Sequence, residues 1–217
     1  MRTSVDISLL PVSGYESDIT MGPDDQRFGL VELFVVAAGS LLAVPGVFAG
    51  MFINRTSFLG PIVAGPLMEE ILKPAGIVIL LTRRPYLKLK GIVGILAGAF
   101  SGLTFAAIEN LIYLEIYVPE HDRRYVVWRW TVCVGVHVIC SAVVGYGLAR
   151  GSGLRAARDA EEFRLLPAHL LDQPRERSGV FQGPSFICLL IAVVLHGAYN
   201  LAAFLLPFGH FAAGIEP

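Results

Sequence analysis

Five apolar stretches, near Leu30–Ile53, Phe58–Thr82, Leu89–Val118, Tyr125–Ala149 and Pro184–Leu206, dominate the 217-residue chain. Each is long enough to cross a hydrocarbon core, which takes about 20 residues of helix. Within lipid every backbone N–H and C=O must be satisfied inside the segment, so long apolar runs without strand alternation read as helices. The fold class expected is therefore all-α, a polytopic transmembrane bundle of about five spanning helices. A composition 54% hydrophobic and 16% charged, with mean hydropathy +0.63, agrees with a chain dissolved in lipid. Glycines such as Gly91, Gly94, Gly98 and Gly102 permit the close helix approach on which packing in lipid depends.

The rest of the chain divides around these spans. Residues 1–29, with Asp6, Glu16, Asp18, Asp24 and Asp25, read as a flexible acidic tail without the basic and apolar regions of a signal peptide. Residues 30–206 form the membrane domain, with a loop at 151–183 and a short tail at 207–217. Lys and Arg set the orientation. Arg83, Arg84, Lys88 and Lys90 lie in the second connection and Arg150, Arg155, Arg158, Arg164, Arg175 and Arg177 in the fourth, against Arg55, Arg123 and Arg124 in the others. This predicts a multi-pass protein of the cell membrane with a cytoplasmic N-terminus and an external C-terminus. The stretch Leu154–Leu166 is basic and amphipathic, suited to the membrane surface or to a solvated linker. A net charge of −1 and the lack of any basic-aromatic segment exclude a nucleic-acid reader. Cys133, Cys140 and Cys188 sit in apolar runs without metal or disulfide spacing and read as small buried hydrophobes.

The chemistry lies in polar residues inside the spans. Glu69, Glu70 and Lys73 fall in the middle of the second. A charge at helix centre costs roughly 2.5–3.5 kcal/mol, so three cost on the order of 8–10 kcal/mol before pairing. Their i, i+3 and i, i+4 spacing lets both carboxylates reach one ammonium, and the less well-paired glutamate is suited to act as a general base. In the third span Glu109 and Tyr113 share a face with Asn110 beside them; the fourth carries His137 and Ser141, the fifth His196 and Asn200, each four apart. Trp128, Arg129 and Trp130 read as an interfacial aromatic anchor with a snorkelling arginine, and His121, His169 and His210 as loop or tail residues without a role.

The set Glu69-Glu70-x-x-Lys73, Phe105-x-x-x-Glu109-Asn110-x-x-Tyr113, His137-x-x-x-Ser141 and His196-x-x-x-Asn200, one motif per successive span, resembles the PrsW family of intramembrane proteases. That family is similar in turn to the CAAX prenyl endopeptidases and bacterial immunity-type proteases, which carry EExxxR where this chain has EExxK. The resemblance implies hydrolysis of a peptide bond in or beside a transmembrane segment of a single-span substrate, anti-sigma-factor-like by analogy. It implies that Glu69 activates the water with help from His137, that His196 and Asn200 stabilise the oxyanion, and that Glu70 with Lys73 orients Glu69. Glu109 matches a motif whose chemical role stays open, and Tyr113 and Ser141 are supporting residues.

A metal-free glutamate centre is the favoured reading, with no cofactor. The alternative is a zinc protease with Glu69, His137 and His196 as ligands, which spacing alone does not decide because they come from separate helices. A proton-coupled transporter would also keep Glu and His inside the bilayer, but no inverted repeat supports it. A non-catalytic scaffold is the remaining alternative.

Overall fold

The computed structural model describes residues 28–54, 59–84, 89–165, 181 and 183–205, less the side chains of 50–54 and 155–165. The tails and the remainder of the 151–183 loop lie outside these residues. Among the described residues the chain is helical and contains no strand. The helices are α1 (Leu30–Ser40), α2 (Val44–Asn54), α3 (Gly65–Leu72), α4 (Ala75–Arg83), α5 (Gly91–Ile112), α6 (Arg123–Trp128), α7 (Val134–Leu165) and α8 (Pro184–Leu205).

Several of these join into longer rods. A 3-10 turn at Leu41–Ala43 links α1 to α2, where Pro45 lacks the N–H that would bond the Leu41 carbonyl. Tyr113–Tyr117 continues α5 and Arg129–Cys133 links α6 to α7, both as π-helical turns. Four helices are long and apolar enough to cross a membrane: Leu30–Ala49, Gly91–Tyr117, Arg123–Leu154 and Pro184–Leu205.

The second apolar stretch differs from the continuous span expected of it. It enters through a π-helical turn, Gly60–Ala64, runs as α3, breaks at Lys73-Pro74 and resumes as α4. Pro74 has no N–H for the Glu70 carbonyl and its ring crowds that oxygen, so the helix cannot pass through it. Ser101 Oγ donates to the Lys73 carbonyl at 2.6 Å, satisfying one of the acceptors at the break. The broken helix thus brings two glutamates, a lysine and a freed backbone to one depth, where neighbouring side chains compensate them. The fourth stretch departs in the other direction, because α7 runs without a break through Gly151 and Gly153 to Leu165, into the segment expected to be loop.

Packing centres on the pair α5 and α7. A Cβ on Gly98 would stand 2.1 Å from the Ser141 carbonyl oxygen, and one on Gly102 would stand 2.4 Å from that of His137. Only glycine permits this backbone approach, and it sets the Glu109 and His137 faces against each other. Gly197 on α8 likewise meets the Ile62 carbonyl, seating α8 on the π-helical turn before α3. One apolar cluster, including Val36, Ile77, Leu80, Val144, Leu148 and Leu189, fills the bundle toward the Arg84 end. There Glu32 accepts from Arg84 Nη1 and from the Gly29 amide, fastening the start of α1 to the end of α4. Cys133, Cys140 and Cys188 are free thiols.

Candidate active site

The residues of four separate spans meet at the break in the second. Glu69, Glu70, Lys73, Glu109, His137 and His196 are all buried. Lys73 Nζ donates to Glu70 Oε1 at 2.6 Å and lies 3.6 Å from Glu69 Oε2, so the shared ammonium expected from the spacing forms, with Glu70 the closer partner. The same nitrogen lies 2.9 Å from His137 Nδ1 and 4.9 Å from the centroid of the Phe105 ring. Glu69 keeps the most access of the three acids, its side chain 11% exposed against none for Glu70.

Each histidine is anchored by a carboxylate. His196 Nδ1 lies 2.8 Å from Glu70 Oε1, and His137 Nε2 lies 2.8 Å from Glu109 Oε2. Lys73 Nζ only donates, so His137 Nδ1 beside it accepts and the ring proton falls on Nε2, while the Glu70 carboxylate accepts from His196 Nδ1. The opposite nitrogens, His196 Nε2 and His137 Nδ1, therefore present lone pairs, and each stands 3.9 Å from Glu69 Oε2. The rings meet edge to face with centroids 4.9 Å apart. One ligand atom from each of Glu69, His137 and His196 lies within 4.8 Å of the others. Glu69 Oε2, aimed into this gap, has no hydrogen-bond partner among the described residues. Carboxylate oxygen with two imidazoles is a donor set typical of zinc, and a carboxylate behind each imidazole is the usual support for such ligands. The residues fit a metal in donor type and convergence.

The remaining expected residues lie around this centre. Asn200 is half-buried, and its Nδ2 donates to the Pro61 carbonyl at 2.8 Å, within the π-helical turn that precedes α3. Asn110 does the same one helix over, donating to the Arg129 carbonyl at 3.1 Å in the π-helical turn that precedes α7. A π-helical turn leaves carbonyls poorly paired, and each asparagine meets one from a neighbouring helix. Ser141 packs against Gly102 behind His137, outside the polar cluster.

Arg129 corrects the sequence reading. It is 4% exposed and turned inward, not snorkelling to an interface. Its Nε donates to Asn110 Oδ1 at 2.9 Å, its Nη2 lies 3.4 Å from Glu109 Oε2, and its guanidinium stacks 3.9 Å over the Tyr113 ring. Trp128 stacks on Tyr199, leaving Trp130 as the exposed ring of the trio. The signal for this was the acid in the third span: an intramembrane Glu109 without a cation on its own helix calls for one on a neighbour. His121 Nδ1 meets the Val118 carbonyl at 2.7 Å, a local loop contact, while His169 and His210 lie outside the described residues.

Comparison with known proteins agrees with this constellation. Residues 29–215 match the family described as "PrsW family intramembrane metalloprotease". The chain belongs to this family. It is accordingly a multi-pass integral membrane protein of an intramembrane peptidase family, which decides against the transporter alternative. No curated protein and no solved structure matches the chain significantly.

Proposed function

We propose that the chain is a metal-dependent intramembrane endopeptidase, cleaving a peptide bond within or beside the membrane segment of a single-span protein. The observation that carries this reading is the convergence of Glu69 Oε2, His137 Nδ1 and His196 Nε2, three lone-pair donors with both imidazoles locked in that orientation. The family's description as metalloproteases points the same way. The family resemblance, read from the motifs alone, favours a metal-free centre, which spacing does not decide; the ring orientations support the metal better.

A zinc-like ion held by Glu69, His137 and His196 would supply Lewis acidity and make water acidic enough to attack near neutral pH. The chain's own groups do the rest. The Glu69 oxygen not given to the ion accepts the proton of the attacking water and returns it to the amine nitrogen as the C–N bond breaks. Glu70 and Glu109 keep the two rings from turning. Lys73 Nζ places a fixed positive charge beside the centre, where the carbonyl oxygen becomes anionic. A substrate helix must unwind locally before its carbonyl is accessible, so substrates with Gly, Pro or Ser near the cut are expected.

One observation favours a second reading. Lys73 Nζ at 2.9 Å occupies the His137 Nδ1 lone pair, and a metal ligated there displaces it toward Glu70. Without a metal, Glu69 remains the base and the Lys73 ammonium the principal donor for the oxyanion. Metal analysis of the purified chain, with cleavage of a reconstituted single-span substrate in 1,10-phenanthroline, separates the two. About one zinc per chain, lost in His196→Ala, and inhibition by the chelator are expected. Metal-free protein that cleaves in the chelator would overturn the metal reading and leave the glutamate one.

A further inference from the structure

We infer that Arg129 is a positioning residue of the hydrolytic centre, acting on His137 through Glu109. The inference rests on the peptidase reading above and assigns a residue that none of the four motifs contains.

Glu109 Oε2 is the single oxygen that meets both His137 Nε2, at 2.8 Å, and Arg129 Nη2, at 3.4 Å. The carboxylate is 5% exposed and sits among apolar helices, where an uncompensated charge is costly. Lys73 is committed to Glu70 and the Glu69 side, so Arg129 is the cation in contact with Glu109 among the described residues. Without it no cation holds that oxygen on the His137 side, and the carboxylate is free to turn about its side-chain bonds, which removes the support that keeps the His137 ring aimed at the centre.

The arginine is itself fixed on three sides. Asn110 accepts from its Nε and donates to its backbone carbonyl, a reciprocal pair that ties α5 to the start of α7. The guanidinium carbon stands 3.9 Å over the centroid of the Tyr113 ring. Because Glu109, Asn110 and Tyr113 lie on one helix and Arg129 and His137 on the next, the contact sets both the orientation of Glu109 and the register of His137 against it. Lysine at 129 would preserve the charge but reach only one of the two partners that the planar fork meets.

The test is a double-mutant cycle on cleavage of a reconstituted substrate, with folding checked by thermal unfolding in detergent. Arg129→Gln is expected to lower kcat about 10- to 100-fold with KM little changed, and Arg129→Lys to recover part of the loss. In a Glu109→Gln background, Arg129→Gln should add little, because the group it acts through is already gone. Asn110→Leu, which removes the Nε anchor but leaves the charge, should show a smaller loss that also vanishes in that background; it serves where Arg129→Gln does not fold. Additive losses in the cycle, wild-type kcat in folded Arg129→Gln, or a lysine variant no better than glutamine would overturn the inference. An active Glu69→Gln variant would instead sink the peptidase centre itself, so the two failures are distinguishable.

Discussion

Replacing Gly102 by alanine puts a methyl carbon 2.4 Å from the His137 carbonyl oxygen and 2.8 Å from Ser141 Oγ. An unstrained contact needs about 3.4 Å, so α5 and α7 must separate by about 1 Å at the turn that carries His137. Overpacking of this kind costs about 1–3 kcal/mol of stability. The functional cost is of similar size, because His137 Nε2 sits 2.8 Å from Glu109 across the same interface and a displacement of about 1 Å breaks that contact. Misplacement on this scale costs about 10²-fold in rate. Gly135→Ala is the control: it lies on α7 two residues from His137, and its added methyl meets nothing within 4 Å. That variant should keep full activity and gain about 0.5–1 kcal/mol from helix propensity. Reconstituted cleavage and thermal unfolding in detergent report both quantities. A Gly102→Ala protein with wild-type kcat and Tm would refute the claim that backbone contact between α5 and α7 sets the site.

Three further perturbations probe other parts of the bundle. Lys73→Met strands Glu70 with His196 as its remaining partner and should cost about 3–5 kcal/mol, read as a large drop in Tm and loss of cleavage. Ser101→Ala leaves the Lys73 carbonyl without its side-chain donor at the helix break and should cost about 1–3 kcal/mol, with kcat falling as α3 loosens. Glu32→Gln weakens a pair whose Arg84 side is 41% exposed, so solvent screening limits the loss to about 1 kcal/mol or less, and cleavage should be unchanged.

The helical, membrane-spanning character and the identity of the central cluster were legible because they rest on local patterns. Apolar run length marks the spans, and charges inside them mark places where burial must be compensated. Spacing of three or four residues showed that Glu69, Glu70 and Lys73 share a helix side. The break at Lys73-Pro74 was also written in the chain, since proline cannot continue the ladder, but the length of the apolar run masked it. The partners of Glu109 and His137 were harder to see. They depend on which helices touch, and that follows from Gly98 and Gly102 meeting the α7 backbone, a relation no single segment carries. Arg129 was misread for the same reason. Flanked by two tryptophans it matches an interfacial anchor, and only the placement of α5 beside it supplies Glu109 and Asn110. Asn200 shared a face with His196 as expected, yet its amide meets Pro61, a carbonyl freed by a π-helical turn that periodicity does not announce.

The most direct test of the central claim is cleavage of a single-span substrate co-reconstituted in liposomes with wild-type protein or with Glu69→Gln, products being identified by mass spectrometry. The account predicts a defined cut in or beside the substrate's membrane segment with wild type, and no product with a Glu69→Gln protein whose unfolding temperature matches wild type. A folded Glu69→Gln variant that cuts at the wild-type rate would contradict it.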